Sequence, residues 1–203
     1  MALSLFTLQL GIASPHDADI YALTGADPVR VALVKAVIAA ESGWNSGALR
    51  YEPALNDASY GLMQVLHRTA QIYAPTVTPG ELFIPRVNLE IGIAHLDALL
   101  ARYDLNDTIA AYNAGTPRRN DAGQYTNSKG STVVQSYVNN VLQGYAFYLE
   151  HQQPVEWPAT GSFVPAPPIL DQLTSSGVLI PALTILGAIG LAVMKRHTSA
   201  ITE

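Results

Sequence analysis

The chain has 203 residues, enough for one domain with a real core plus appendages; 49% of them are hydrophobic and only 13% are charged. A net charge of −5 leaves no basic footprint for nucleic acid, and the lack of cysteine excludes disulfides, thiolate metal sites and cysteine nucleophiles. The five histidines show no close pair at ligand spacing, so neither a metal nor another cofactor is expected.

Residues 1–14 (MALSLFTLQLGIAS) are apolar, with small residues Gly11 and Ala13 where a leader would be cut. They lack the Lys or Arg that usually opens a leader, so two readings stay open: a cleaved segment, or one that docks on the core. A short helix over 16–24 leads into 27–43, where the local signals agree best. Asp27 suits an N-cap, Pro28 the first helical position and Gly43 the residue after the stop. Between them only Arg30 and Lys35 interrupt an apolar surface, the pattern of a core helix. Val31, Val34, Ile38 and Glu41 follow steps of three, four and three, so they share a face. A carboxyl at the end of an apolar face is partly desolvated, which raises its pKa toward the value a general acid needs near neutral pH. A lone glutamate there is more often a solvated helix end, and its meaning rests on what surrounds it.

Residues 44–60 mix Gly, Asn, Ser, Asp and Pro without period and read as loop. Gly61-Leu62-Met63-Gln64-Val65 follows, then a helix over 66–73, breaks at Pro75 and at 78–80, and a helix over 88–103. Leu89, Gly92, Leu96, Leu99 and Tyr103 form its inner face, with Asn88 as N-cap and Gly92 admitting a close helix–helix approach. Asn106-Asp107 caps a short helix that Gly115 stops. The polar stretch 116–131 has room for one hairpin, and a long helix over 132–150 closes the domain. Val134, Tyr137, Val138, Val141, Tyr145 and Tyr148 lie on one side of it.

Composition then shifts. Five prolines in 151–176 mark a linker, partly polyproline-like. Residues 177–194 carry no charge and are followed by Lys195-Arg196, opening a tail over 195–203. Eighteen helical residues make about 27 Å against a bilayer core of about 30 Å, and Thr184, Ala188 and Ala192 offer a packing face. A helix buried in another protein would look similar; the preceding linker favours a membrane span, with the two cations holding the tail cytoplasmic and the main domain across the membrane.

Four short motifs in fixed order carry a family resemblance: Glu41-Ser42, Gly61-Leu62-Met63-Gln64, Asn88 with Gly92, and Ala111-Tyr112-Asn113-Ala114-Gly115. Together with Tyr137-Val138 on the last core helix, they resemble the soluble lytic transglycosylase domain over about residues 22–149. The expected architecture is mainly α: a lysozyme-like transglycosylase domain at 15–150, then the linker and one C-terminal hydrophobic helix. The resemblance implies cleavage between N-acetylmuramic acid and N-acetylglucosamine in peptidoglycan. It makes Glu41 the catalytic acid and then the base toward the muramic acid's own primary hydroxyl, closing an anhydro ring. It also implies that Ser42 orients Glu41, that Met63 and Gln64 line the cleft, and that Tyr112 and Asn113 face it from another helix. Ser59, Tyr60 and Tyr137 complete the expected substrate-binding set, while Asn88 and Gly92 are left out of it as cap and packing residue.

The chain departs from the family pattern at His95, where an aromatic residue is usual, at Val133-Val134 in place of a Glu-Thr pair, and after Gly115. A second carboxylate among Glu52, Asp57 and Glu90 would move the chemistry to hydrolysis, as in goose-type lysozymes. A further alternative is a structural protein of a virion or secretion complex, with a glycan-binding or inactive domain. The expected setting is a phage particle component that opens the wall locally during genome entry. Its partners would be peptidoglycan strands, a lipid bilayer through 177–194 and other virion or envelope-spanning proteins. A bacterial wall-remodelling enzyme is the other setting.

Overall fold

The computed structural model describes residues 14–151. The N-terminal apolar segment, the proline-rich linker, the 177–194 segment and the tail lie outside the described residues. Among the described residues no helix is long and apolar enough to cross a membrane.

The order is α1 (Asp17–Thr24), α2 (Pro28–Glu41), β1 (Leu49–Glu52), β2 (Asp57–Tyr60), β3 (Val65–Leu66), α3 (His67–Tyr73), a 3₁₀ turn (Glu81–Phe83), α4 (Pro85–Leu100), α5 (Leu105–Ala114) and α6 (Val133–Glu150). Helix α2 forms as its sequence requires. The Asp27 carboxylate accepts from the Arg30 amide at 2.9 Å, capping the end that Pro28 begins. Every residue from Val31 to Ala39 is buried, so α2 is enclosed rather than one-sided. It runs against α6, which turns Val134, Val138, Val141 and Tyr148 inward, and with α4 and α5 these helices enclose the core.

Ion pairs fix the first helix and the polar members of this core. Lys35, only 4% exposed, meets Asp17 at 2.9 Å and lies over the rings of Tyr21 and Tyr148. Arg86 bridges Asp19 and Glu90, each at 3.0 Å, and Arg30 pairs with Asp97, so α1 and α2 are both tied to α4.

The main departure from the sequence reading is at 44–60. Where a loop was expected, β1 and β2 form an antiparallel hairpin, extended by β3 into a three-stranded sheet in the order β1-β2-β3. The strands are four residues or shorter and β1 is largely exposed, so no alternation of apolar and polar residues announces them. What sets their register is the turn between them, where Asn56 takes a φ of 47° and its side-chain oxygen accepts from the Tyr51 hydroxyl.

Two smaller corrections concern helix ends. Helix α4 starts at Pro85, so Asn88 is not an N-cap but a buried residue of the helix interior. Asp104, not Asn106-Asp107, caps α5, accepting from the Asp107 amide at 2.8 Å. In 116–131 the room for a hairpin is used at one antiparallel bridge, Arg119 to Tyr125, closed by backbone bonds from Thr126 to Arg118 and from Asn120 to Gln124.

Candidate active site

Glu41 is the last residue of α2, where the buried helix reaches the surface of the core. Ser42 caps it and Gly43, at φ 57°, turns the chain away, so the side chain is left half-buried at the helix end. Its carboxyl accepts one hydrogen bond, from the Tyr137 hydroxyl of α6 to Oε1 at 2.7 Å. Burial pushes the Glu41 carboxyl up to about 7, against the downward pull of the Tyr137 bond and of Arg50, with a smaller upward push from Glu52. The group is therefore poised between its acid and carboxylate forms near neutral pH.

Two phenols flank it. Burial, with the Glu41 charge second, pushes both Tyr112 and Tyr137 well above the ordinary phenol range, so both stay protonated donors. Tyr112 donates to the Met63 carbonyl at 2.9 Å, and Met63 is wholly buried. Glu41 of α2, Tyr137 of α6, and Tyr112 of α5 with its Met63 contact thus come from distant parts of the chain to one place.

The turn that carries Met63 is built by its own Gly61 and Gln64 and by Asn88 and Gly92, the two residues left out of the expected binding set. Gly61 has φ 69°, and a Cβ on it would stand 2.5 Å from the Leu82 carbonyl oxygen, so no other residue fits the turn. Gln64 adopts φ 46°, a left-handed conformation that costs a non-glycine residue of order 1 kcal/mol. Its amide donates to the carbonyls of Gly61 and Ala48, which holds that conformation. Asn88 reaches the turn from α4, accepting from the Met63 amide at 2.8 Å and donating to the carbonyls of Tyr60 at 2.7 Å and Leu82 at 2.9 Å. One helical turn on, Gly92 makes room for the same methionine: a Cβ there would lie 2.5 Å from Met63 Sδ. Asn88 and Gly92, four residues apart and so on one face of α4, are together a socket for Met63. The close approach at Gly92 is to this turn, not to a helix.

The remaining expected residues are placed less directly. Ser42 donates its hydroxyl to the Ile38 carbonyl at 3.3 Å and makes no hydrogen bond to Glu41. Gln64 spends its amide on the backbone rather than on Glu41. Asn113 is exposed near the end of α5, and Ser59 is buried on β2 opposite Arg50 and Leu66. Tyr60 stacks edge-on against Phe83, ring centroids 5.4 Å apart. His95 replaces the usual aromatic residue by joining rings: it lies 5.4 Å from the Tyr112 ring and 5.9 Å from that of Tyr73, and its Nδ1 is 3.1 Å from the Tyr73 hydroxyl. Burial, then Arg102, holds His95 below the ordinary imidazole range, so it is a neutral shelf behind Tyr112.

Of the acids considered as a second carboxylate, Asp57 is bound by Arg68 and the Ala58 amide, and Glu90 is buried with Arg86. Glu52 is different, since its charge is felt at Glu41, but it pairs with Arg50 at 2.6 Å.

A helical domain with a small sheet and a buried helix ending in a desolvated acid bonded by a tyrosine is a lysozyme-like arrangement. Residues 21–134 match the family described as Transglycosylase SLT domain, more than half of the chain, and the chain belongs to that family. Among solved structures it is similar to an inactive mutant of the lytic transglycosylase Slt from Pseudomonas aeruginosa, with 22% identity and a TM-score of 0.50. That match covers 69% of this chain and 25% of the other, so the chain corresponds to about a quarter of that protein's length. No curated protein matches it.

Proposed function

We propose that the protein is a peptidoglycan lytic transglycosylase in which Glu41 serves first as acid and then as base. The observation that carries this is the carboxyl's setting: buried enough to hold its proton to about pH 7, yet hydrogen-bonded among the described residues by Tyr137 on one oxygen only. The second oxygen is free to give its proton to the glycosidic oxygen as the bond from muramic acid C1 breaks, releasing the N-acetylglucosamine hydroxyl. The resulting carboxylate, stabilised by the Tyr137 hydroxyl, then takes the proton of the muramic acid's primary hydroxyl while that oxygen bonds to C1. An anhydro ring closes, no water is consumed, and Glu41 ends protonated as it began. Tyr112, braced by His95 and bonded to Met63, forms the facing wall.

Membership of the transglycosylase family and the engagement of Glu52 by Arg50 support this over hydrolysis. Glu52 keeps hydrolysis as a second reading, since an acid within electrostatic reach of Glu41 is what water activation would need. The apolar 177–194 segment and the proline-rich stretch before it support a membrane tether that holds the domain on the cell-wall side. In that setting the enzyme opens the wall locally, and phage genome entry is the use we propose.

Digestion of purified sacculi, with mass analysis of the soluble products, tests the chemistry. Anhydro-muropeptides from the native chain, lost in Glu41→Gln, are the expected result. Reducing ends point to hydrolysis through Glu52, and release of no soluble product removes the enzymatic reading.

A further inference from the structure

The hairpin contributes a charged edge that the acid chemistry above does not use. Alternation along β1 puts Arg50 and Glu52 on one face of the strand and Leu49 and Tyr51 on the other. The root of the strand is tied to the Met63 turn, since the Ala48 carbonyl accepts from the Gly61 amide at 2.8 Å and from the Gln64 side chain at 3.2 Å. Arg50 is consequently close enough to be felt by Glu41 on α2 and by Tyr137 on α6. Its Nε donates to Glu52 Oε1 at 2.6 Å, and its side chain remains 63% exposed. Neither terminal amino group has a hydrogen-bond partner among the described residues. Arg30, Arg68, Arg86 and Arg119 spend theirs within the fold, on Thr24 and Asp97, on Leu55, on Asp19, and on Asp107 and Tyr125; Arg102 and Arg118 are open as well, but only Arg50 lies on the strand tied to the Met63 turn.

Glu52 therefore grips Arg50 by the one nitrogen that leaves its terminal pair open. Two parallel N–H groups from such a pair match the two oxygens of a carboxylate, a geometry a lysine cannot reproduce. Of the two sugars in the proposed substrate only muramic acid bears an acid-derived arm, the lactyl ether on O3. A carboxylate lies on that arm either as the lactyl group itself, in glycan stripped of peptide, or further out on the peptide stem.

We propose that Arg50, held by Glu52 at the edge of the cleft, is a specificity-determining residue that binds a carboxylate on the muramic acid O3 arm and so registers the strand over Glu41. The inference rests on the transglycosylase reading, and its test separates the two. The full chain and its Arg50→Gln and Arg50→Lys variants are compared on three glycan strands: stem-bearing, peptide-stripped, and peptide-stripped with the lactyl carboxyl converted to a neutral amide. The expected result is a KM about tenfold higher for both variants on one of the first two strands, with kcat little changed. On the neutral amide the variants and the native chain should match. The strand that responds identifies the source of the carboxylate. Equal KM values on every strand overturn the inference while leaving the transglycosylase reading intact. A loss equal on all three strands, or a moved pH profile without a change in KM, also overturns it, because Arg50 would then act on the fold or on the Glu41 proton. If the native chain releases no anhydro ends from any strand, it is the underlying reading that fails.

Discussion

Of the three ionisable side chains on helix α2, Lys35 and Glu41 lie six residues apart, and the protein treats them in opposite ways. Lys35 lies in the middle of the helix, almost fully buried, and is met by a carboxylate at 2.9 Å and by two aromatic faces. Burial there is offset by a full counter-charge, and the group serves packing. Glu41 lies at the helix end, partly open, and forms no ion pair among the described residues; a neutral phenol is its hydrogen-bond partner. Arg50 is near but bound to Glu52, so desolvation outweighs attraction and the proton stays on. A buried charge given its opposite is held as structure, while one given only a neutral donor is left able to exchange its proton near neutral pH.

Removing each group in turn gives the sharpest test of that contrast. The largest effect expected is on turnover: Glu41→Gln should lose about a thousandfold or more in anhydro-muropeptide release, the scale of a lost general acid acting in both half-reactions. Lys35→Ala should leave release per folded molecule unchanged while costing about 3 kcal/mol in stability by urea denaturation, because Asp17 then lacks its partner and the helix gains a cavity.

Glu41→Gln should do the reverse to stability. The folded carboxyl holds its proton to about pH 7, whereas the unfolded one releases it near 4.5. Between these values the folded state binds more protons, so the native chain loses stability as pH rises through this window. Above pH 7 the variant should be more stable than the native chain by about 2–3 kcal/mol, and below pH 4.5 the advantage should vanish. Paired urea melts at pH 8 and pH 4 measure it, and an advantage that is independent of pH would argue against a desolvated carboxyl.

The smallest effect expected is that of Tyr137→Phe. Losing a donor to the carboxylate form moves the alkaline limb of the kcat/KM profile to higher pH and lowers the rate by about tenfold. A limb that stays in place would mean the Tyr137 bond does not tune Glu41.

Much of the helical frame was legible locally. Asp27-Pro28 opens α2, and the apolar periodicities of α4 and α6 mark faces that are in fact buried. Glu41 could be singled out because it ends such a pattern, and Tyr112 and Met63 because they stand in motifs. The hairpin was not legible, since its strands are short, exposed and held by a turn whose left-handed Asn56 is one asparagine among many. Asn88 was misread for a related reason. Asparagine near a helix start usually caps, and only the placement of Pro85 as the first residue puts it inside, aimed at the Met63 turn. The Asn88–Gly92 spacing of four was the available signal, because two residues on one face can act on one target.

By itself, sequence determined the helical class, the buried character of α2 and the acid at its end, because helix caps and apolar periodicity act over a few residues and need no partner. Only the tertiary structure decided what that acid meets. The distance from Glu41 to Tyr137 spans 96 positions of chain, and Tyr112 lies 49 positions from the Met63 carbonyl it holds. Whether Glu41 keeps its proton depends on which groups the packing brings beside it and on how much water it excludes, and neither quantity is written in any one stretch of the chain.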